Sequence, residues 1–509
     1  MTKVVAVSRA HRAIGYPQLA VSYTRMKIQR LAKNGINSAV IGCCLFSALA
    51  AGQTFRPDIP RAWEDGNVVD FQVPLAQRDR SPRFLNSREY YALNVRPIYR
   101  TYPVYAPHRE PAGYMEALRQ KDPEIVFDAS KLRTKQDWIN AGELVFDSSP
   151  FPGDPASPLQ QAMVAASPAT RDGVIPFFRY VIRKKGVVEI GSGTSCLGCH
   201  TRVMPGGSVI KGAQGSLPLG QIFASMAAVT IRVRWTLFGA PWLVSREEFD
   251  KVGIDEYARR NAAMQPGVQG RHGTSDVSPS KVPSLIGLQD IRYLDSTGLM
   301  PHRSIGDLMR YAIVNYGLDI TAHYGDFQPS PVSAGFAENG TRFDDNQLYA
   351  LALYIYSLKP PPNPNRMNEQ AVAGEHVFQQ QGCTGCHTPP FYTNNKLTAA
   401  QGFTVPDDLR RTLDILDVSV GTDPILAMQT RRGTGFYKVP SLRGVWYRNG
   451  FGHSGQAETL EEWLDPERLR DDYVPHGFHL GSGPIKGHEF GLKLSHNDKE
   501  ALIAFLKTL

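Results

Sequence analysis

Two copies of Cys-x-x-Cys-His are the residues of this chain whose types and spacing point most directly to chemistry. They span Cys196 to His200 and Cys383 to His387. Two cysteines three positions apart can form thioethers to the vinyl groups of one porphyrin, and the histidine that follows can bind the iron axially. The pattern predicts two covalent haem c groups, attached through Cys196, Cys199, Cys383 and Cys386, with His200 and His387 as proximal iron ligands.

Other uses of these cysteines have to be weighed. Cys-x-x-Cys also begins zinc sites, and the four thiolates could even close a single all-cysteine zinc site. A disulfide within one motif closes a loop too small to contribute much stabilisation, and it leaves the adjacent histidine unexplained. The two flanking histidines therefore favour haem.

An export signal is predicted near the amino terminus. Lys27, Arg30 and Lys33 precede an apolar run from Ile36 to Leu49 that ends in Ala-Leu-Ala, a small-residue cleavage pattern. Residues 1–50 are interpreted as a lead-in and secretory signal peptide, which predicts a periplasmic or secreted protein. The run is shorter than the roughly 20 residues of a membrane span, so we expect no stable membrane span. Cleavage before Cys43, as in a lipoprotein, is a further alternative.

The net charge excludes one class of partner. The whole chain carries +8, but residues 1–50 hold seven Lys and Arg and no acidic residue, which leaves 49 basic and 48 acidic side chains beyond them. A nearly neutral chain gives no electrostatic reason to expect a nucleic-acid partner.

An internal repeat surrounds the two motifs. In each copy an Ala-Gly-Glu-x-Val-Phe segment precedes the motif, and Lys-Val-Pro-Ser-Leu follows it at 281–285 and 438–442. Each copy then closes with an amphipathic helix, predicted at 345–359 and 497–509. Self-similarity of this kind indicates two copies of one domain. Trp235 and Trp242, which lie between the haem motifs, could serve as an electron conduit, although core packing is their commoner role.

The repeat predicts the division of the chain. The fold class expected is mainly α with extensive irregular structure, as two tandem cytochrome c-like domains at 134–359 and 369–509 joined by a linker at 360–368. An insertion at 147–195 enlarges the first domain, with a strand pair at 177–182 and 187–190. A Pro- and Tyr-rich extension at 51–133 precedes both domains, and its many aromatic residues favour packing over disorder.

The order of these elements resembles the bacterial di-haem cytochrome c peroxidase superfamily. The segments that carry the resemblance in the second domain are Lys438 to Trp446, Gly452 to Gly455 and Thr459-Leu460, while Gly487 to Gly491 is more similar to the rubber-oxygenase-like branch. The resemblance implies that one haem keeps an open face for peroxide or dioxygen and that the other is six-coordinate and relays electrons. It also implies that Ca²⁺ can lie between the domains, with no ligands assigned here.

The distal ligands follow from the resemblance and from what the sequence lacks. Candidates at the second haem are His453, His476, His479 and His488; the peroxidases place a methionine after the position of His453, but residues 454–472 contain none. The rubber-oxygenase-like branch uses a late histidine, which favours His488. At the first haem no histidine lies between His200 and His272. Met226, Met264, Met300 and His302 are weak candidates there, so the first haem is predicted to be open and reactive.

The sequence is consistent with two classes of function. The favoured one is an exported di-haem oxidoreductase that reacts with peroxide or dioxygen and exchanges electrons with a small redox protein or an organic donor. His302 and His453, at comparable places after the two Lys-Val-Pro-Ser-Leu segments, are its candidate catalytic acid–base residues. The alternative is a non-enzymatic electron-transfer cytochrome with both irons six-coordinate.

Overall fold

The chain is described by a computed structural model over residues 54–68, 70–149, 152–191, 193, 195–234, 242, 245–270, 273–329 and 341–509. The signal peptide predicted for residues 1–50 lies outside the described residues, as do Trp235 and His272. Within the described ranges, no helix combines the length and apolarity needed to cross a membrane.

Helices and irregular segments make up most of the described chain, in agreement with a mainly α class rich in irregular structure. The helices of eight or more residues are Lys135–Asp147, Pro158–Ala166, Ile254–Ala262, Ile305–Ile313, Asp345–Ser357, Glu369–Gln380 and His496–Lys507. Shorter α-helices are Asp65–Val68, Ser87–Ala92, Tyr114–Arg119, Cys196–Cys199, Leu219–Ser225, Ala227–Thr230, Arg246–Asp250, Asp319–Thr321, Asp407–Thr412, Ile425–Met428 and Leu460–Trp463.

Each haem motif is preceded by an opening helix that packs against a closing helix. The first opening helix (Lys135–Asp147) crosses the first closing helix (Asp345–Ser357), and the second opening helix (Glu369–Gln380) crosses the second closing helix (His496–Lys507). Capping boxes or caps begin all four, with Thr134, Asp344, Asn368 and Ser495 accepting from backbone N–H groups of the first turn.

The repeated Ala-Gly-Glu-x-Val-Phe segment forms the crossing point in both pairs. A Cβ atom on Gly142 would lie 1.9 Å from the carbonyl oxygen of Ala350, and one on Gly374 would lie 1.9 Å from that of Ala501. The phenylalanine of each segment contacts an aromatic ring of the closing helix at 5.3 Å in both pairs, as Phe146–Tyr354 and Phe378–Phe505. The sequence repeat is therefore a repeat of helix packing.

The strands are short and form small sheets. The largest sheet is antiparallel and has the order Thr101–Tyr105, Val174–Lys184, Val187–Gly191, Pro152–Gly153. The strand pair predicted in the insertion is confirmed, and a strand of the extension joins it. The other pairs are Pro82–Arg83 with His323–Tyr324, Asn94–Val95 with Thr341–Arg342, Thr201–Val203 with Val209–Lys211, Val268–Gln269 with Ser280–Lys281, Tyr293–Leu294 with Met300–Pro301, and Leu397–Ala399 with both Ile415–Leu416 and Phe436–Lys438.

Aromatic residues of the extension lie in the largest core. Trp63, Phe71 and Tyr90 are almost fully buried together with Trp138 and Phe146 of the first opening helix and with the first closing helix. The second helix pair has a smaller core of its own around Phe378 and Phe505. Residues 53–509 form one compact unit, so a division into two separately folding domains stays a prediction.

Candidate functional site

His200 and His387, the two predicted proximal ligands, are held in a similar way. His200 Nδ1 lies 3.0 Å from the carbonyl oxygen of Pro283, and His387 Nδ1 lies 3.1 Å from that of Pro440. Pro283 and Pro440 occupy the same place in the two Lys-Val-Pro-Ser-Leu segments. If Nδ1–H donates to the carbonyl, the tautomer leaves the lone pair of Nε2 to bind a metal, as is common for metal-binding histidines. In each half of the chain, the Lys-Val-Pro-Ser-Leu segment therefore orients the histidine of the Cys-x-x-Cys-His motif.

The cysteines of each motif lie beside their histidine. In the first motif, Ser195 caps the one-turn helix Cys196–Cys199, and His200 follows directly. Tyr316 Oη is 3.4 Å from Cys196 Sγ, and Gln269 Nε2 donates to Cys199 Sγ at 3.6 Å. Burial raises the pKa of Cys383 and Cys386, so these thiols are not poised as thiolate ligands.

The zinc alternative gains no support from this arrangement. Among the described residues, no group of three or more His, Cys, Asp or Glu side chains could hold a metal ion. The four cysteines thus do not come together as one zinc site, and the described part of the chain holds no cluster of three or more acidic side chains that could bind Ca²⁺. The calcium ion implied by the resemblance stays a prediction.

A cavity of about 240 Å³ opens beside Cys196, Cys199 and His200. Much of its wall is apolar, as the flat face of a porphyrin requires. The apolar lining includes Leu219, Phe223, Leu308, Leu351, Ile355 and Leu426. Two thiols and an oriented imidazole at the edge of such a cavity fit a covalently bound haem.

A polar group forms another part of the wall. Tyr311 Oη donates to Asp295 Oδ2 at 3.0 Å, and the Arg432 guanidinium pairs with Asp295 and donates to Asn315 Oδ1 at 3.0 Å. Burial alone would raise the pKa of Asp295, but Arg432 holds it at about 2. Asp295, Tyr311, Asn315 and Arg432 all line the cavity. We call these four residues the polar wall; sequence analysis did not identify them.

The candidate sixth ligands of the first haem lie elsewhere. Met226, Met264, Met300 and His302 are not among the residues that line the cavity. His302 Nδ1 is 2.7 Å from the carbonyl oxygen of Ile291, and its Nε2 is 2.5 Å from Tyr356 Oη. Both ring nitrogens are thus engaged away from the cavity, and the catalytic role of His302 stays a prediction. Trp242 packs against Tyr324 and Phe327 instead of bridging the motifs.

The second motif has a histidine partner. The ring centroids of His387 and His488 are 6.3 Å apart. A metal–imidazole bond is about 2.0–2.1 Å long and the bonded nitrogen lies about 1.2 Å from the ring centroid, so two imidazoles that bound one metal ion from opposite sides would have centroids about 6.4–6.6 Å apart. His488 Nδ1 is buried with no hydrogen-bond partner among the described residues. Burial and the proximity of His387 lower the pKa of His488 to about 4, which keeps the imidazole neutral, as an iron ligand must be.

The loop that presents His488 is tightly constrained. His488 has a φ of 49°, and Gly487 has a φ of 77°, both in the left-handed region that disfavours side chains. The fully buried Arg468 donates to the carbonyl oxygens of Gly487 and His488, each at 2.9 Å, and also to that of Ile485. Arg468 therefore fixes the loop on its backbone, a role that the sequence alone did not reveal.

The other histidine candidates are placed differently. The His453 ring stacks on Tyr437 at 3.6 Å, and its Nε2 is 2.8 Å from Thr422 Oγ1. Burial and nearby Lys281 lower the pKa of His453 to about 3. His476 is exposed beside Glu462, and His479 Nδ1 faces the carbonyl oxygen of Gly477 at 2.9 Å. The geometry favours His488 as the partner of His387, and the catalytic role of His453 stays a prediction.

The two motifs differ in how they are covered. Leu197 and Gly198 are buried against the large sheet, and a Cβ on Gly198 would lie 2.0 Å from the Gly193 carbonyl oxygen. In the second motif Gly385 is exposed, as are Gly382 before it and Thr388 after it. The insertion thus covers the first motif, whereas the second lies at the surface.

Comparison with known proteins adds little to this geometry. No protein-family model and no curated protein matches the chain. Among solved structures, hydrazine synthase of Kuenenia stuttgartiensis matches with 16% identity and a TM-score of 0.28, over 56% of this chain and 88% of that chain. A MauG-like protein associated with microbial copper homeostasis matches with 16% identity and a TM-score of 0.31, over 55% and 87%. Neither match is close enough to establish a shared fold.

Proposed function

We propose that this protein is an exported di-haem c-type oxidoreductase in which peroxide or dioxygen reacts at the first haem and the second haem relays electrons. The observation that carries the proposal is the difference between the two motifs. His387 faces His488 at the spacing of two axial ligands of one iron. His200 instead borders a cavity whose lining, as far as the described residues form it, includes the polar wall and no methionine, and no histidine besides His200 itself.

The residues of the first cavity suit the reduction of an O–O bond. Haem iron, when bound, supplies the redox chemistry, and the polarity and hydrogen-bond donors of the pocket direct it. Arg432 is permanently cationic and stabilises negative charge that develops on a leaving oxygen. Tyr311 Oη holds a proton in its hydrogen bond to Asp295. A donor and a cation side by side can protonate and stabilise the leaving oxygen, so the polar wall takes the acid–base role first suggested for His302 and His453.

The exposure of the second motif supports an electron-relay role. An exposed haem edge allows a small redox protein or an organic donor to approach, while the covered first haem is shielded from such contact. Export of the chain and the chemical nature of this partner belong to the proposal as well.

The proposal is tested on purified protein whose two haems are covalently attached. We expect electron paramagnetic resonance of the fully oxidised protein to show one high-spin and one low-spin ferric haem. Peroxide or dioxygen should change the spectrum of the first haem alone. Two low-spin haems that ignore both oxidants would contradict the proposal and favour an electron-transfer cytochrome.

A pair of variants tests the assignment of the acid–base residues. Tyr311→Phe removes one hydroxyl from the polar wall and should slow the reaction with peroxide by about 10²-fold, at the lower end of general acid catalysis. His302→Gln lies outside the cavity and is the control, with an expected change below threefold. A slow reaction in His302→Gln together with a nearly unchanged rate in Tyr311→Phe would assign the acid–base role to His302.

A further inference from the structure

Three cationic side chains lie together around Asn449 and Gly450, and no carboxylate of the described residues balances them. Arg202 Nη2 donates to Asn449 Oδ1 at 2.5 Å, and Lys281 Nζ donates to the Gly450 carbonyl oxygen at 2.9 Å. Arg448 lies close enough to Lys281 for their charges to interact. We call Arg202, Lys281 and Arg448 the cation cluster. It combines residues from both halves of the chain.

The hydrogen bonds of the cluster are incomplete. Arg202 is 7% exposed, yet its Nε and Nη1 have no hydrogen-bond partner among the described residues, and neither has Nε of Arg448. Among the residues that the structure describes, Arg448 donates only to the carbonyl oxygens of Ser441 and Arg443, in its own part of the chain. Lys281 uses one of its three N–H donors, on Gly450. Buried cations are normally paired with an anion, because taking a charge out of water without compensation is costly.

The position of the cluster indicates which anion it receives. Lys281 lines the cavity beside Cys196, Cys199 and His200. A haem in this cavity brings two propionate carboxylates, which must find cationic or hydrogen-bonding partners. Within the described residues no protein carboxylate forms an ion pair with the cluster. We propose that Lys281, backed by Arg448 and Arg202, binds the propionates of the first haem and thereby holds its reduction potential high.

Lys438 offers a matched control. It stands at the same place in the second Lys-Val-Pro-Ser-Leu segment and donates to the Tyr293 carbonyl oxygen at 3.2 Å. Burial lowers the pKa of both lysines to about 8. Lys438, however, is near the carboxylate of Asp295 and does not line the first cavity. The two lysines thus share a motif, their burial and the nearby Arg448, but among the described residues only Lys438 of the two has a carboxylate close enough to interact.

The test compares Lys281→Met, Lys281→Arg and Lys438→Met by spectroelectrochemical titration of each haem. Removing a cation beside the propionates favours the ferric state, so Lys281→Met should lower the equilibrium constant for reduction of the first haem about tenfold, or 59 mV for one electron. Lys281→Arg keeps the charge and should stay within threefold of wild type, and Lys438→Met should leave the first haem within threefold. Equal effects of the two Met variants on the first haem would overturn the proposal.

A second measurement does not depend on how the variants fold. In wild-type protein carrying haem labelled with ¹³C at the propionates, the redox-difference infrared spectrum should show propionate bands shifted from those of solvent-exposed carboxylates. Unshifted bands, or a first-haem potential that follows the concentration of added inorganic phosphate, would show that the cluster holds a free anion instead. The inference rests on the proposed haem binding. Haem content is therefore measured in every sample, because a chain without haem would refute the proposed function itself.

Discussion

At the scale of single residues, the two halves hold the histidine of the Cys-x-x-Cys-His motif in the same way. They differ in the other side chains that lie near this histidine. A proline carbonyl orients each proximal histidine. His488 then stands beside His387, whereas the polar wall stands in the cavity beside His200. The position of His488 depends on an unusual backbone conformation that Arg468 holds through three carbonyl oxygens. One histidine in a constrained loop therefore distinguishes the surroundings of His387 from those of His200.

Replacement of His488 tests this difference directly. We expect His488→Ala to remove the low-spin signal of the second haem in electron paramagnetic resonance and to create a high-spin signal, because the iron loses its sixth ligand. His479→Ala is the control, since His479 faces the Gly477 carbonyl oxygen, and its spectrum should match wild type. An unchanged low-spin signal in His488→Ala would show that another residue ligates this iron.

At the scale of elements, the glycine crossing explains why the opening segment is repeated. Gly142 and Gly374 let each opening helix approach its closing helix until backbone meets backbone. Phe146 and Phe378 then fill the same position one helical turn later. Each crossing positions a haem motif, because the motif follows the opening helix in the chain, directly in the second half and after the insertion in the first.

A single methyl group should disturb this crossing. Gly374→Ala places a Cβ 1.9 Å from a backbone oxygen, so the helices must separate, at an expected cost of about 3 kcal/mol in the free energy of unfolding. Gly66→Ala is the control, because no heavy atom lies within 4 Å of the added Cβ, and it should change stability by about 0.5 kcal/mol or less. Urea denaturation of both variants provides the measurement, and a Gly374→Ala variant as stable as wild type would refute the close crossing.

At the scale of the whole molecule, buried ion pairs join the halves around the first cavity. Asp295 follows the first Lys-Val-Pro-Ser-Leu segment, and Arg432 precedes the second. Arg432 also approaches Asp319 at 4.0 Å. Leu426 and Arg432 of the second half both line the cavity beside His200. This cavity is therefore built by both halves, which is consistent with residues 53–509 forming one compact unit.

The Asp295–Arg432 pair makes the stability depend on pH. The pKa of Asp295 is about 2 against an ordinary value of 3.8. A carboxyl whose pKa is depressed in the folded state stabilises the fold above its ordinary pKa and loses that contribution as the pH falls from about 4 to about 2. The contribution is about 2 kcal/mol. Denaturation of the wild type across this pH range should show a loss in the free energy of unfolding. The same loss should be absent in Asp295→Asn and present in Asp417→Asn, a control at an exposed carboxylate. Parallel curves for wild type and Asp295→Asn would contradict this.

The sequence by itself determined what depends on residues close together in the chain. Thioether spacing identifies Cys196, Cys199, Cys383 and Cys386, and the periodicity of apolar residues predicts the helices that position them. His488 was reached only through a resemblance, and the structure places it beside His387. The polar wall, the Arg468 contacts and the cation cluster were decided by tertiary structure alone. Each of these features brings together side chains or carbonyl groups that are distant in the chain or that lie in an irregular loop. The spacing of residues along the sequence therefore does not predict these contacts.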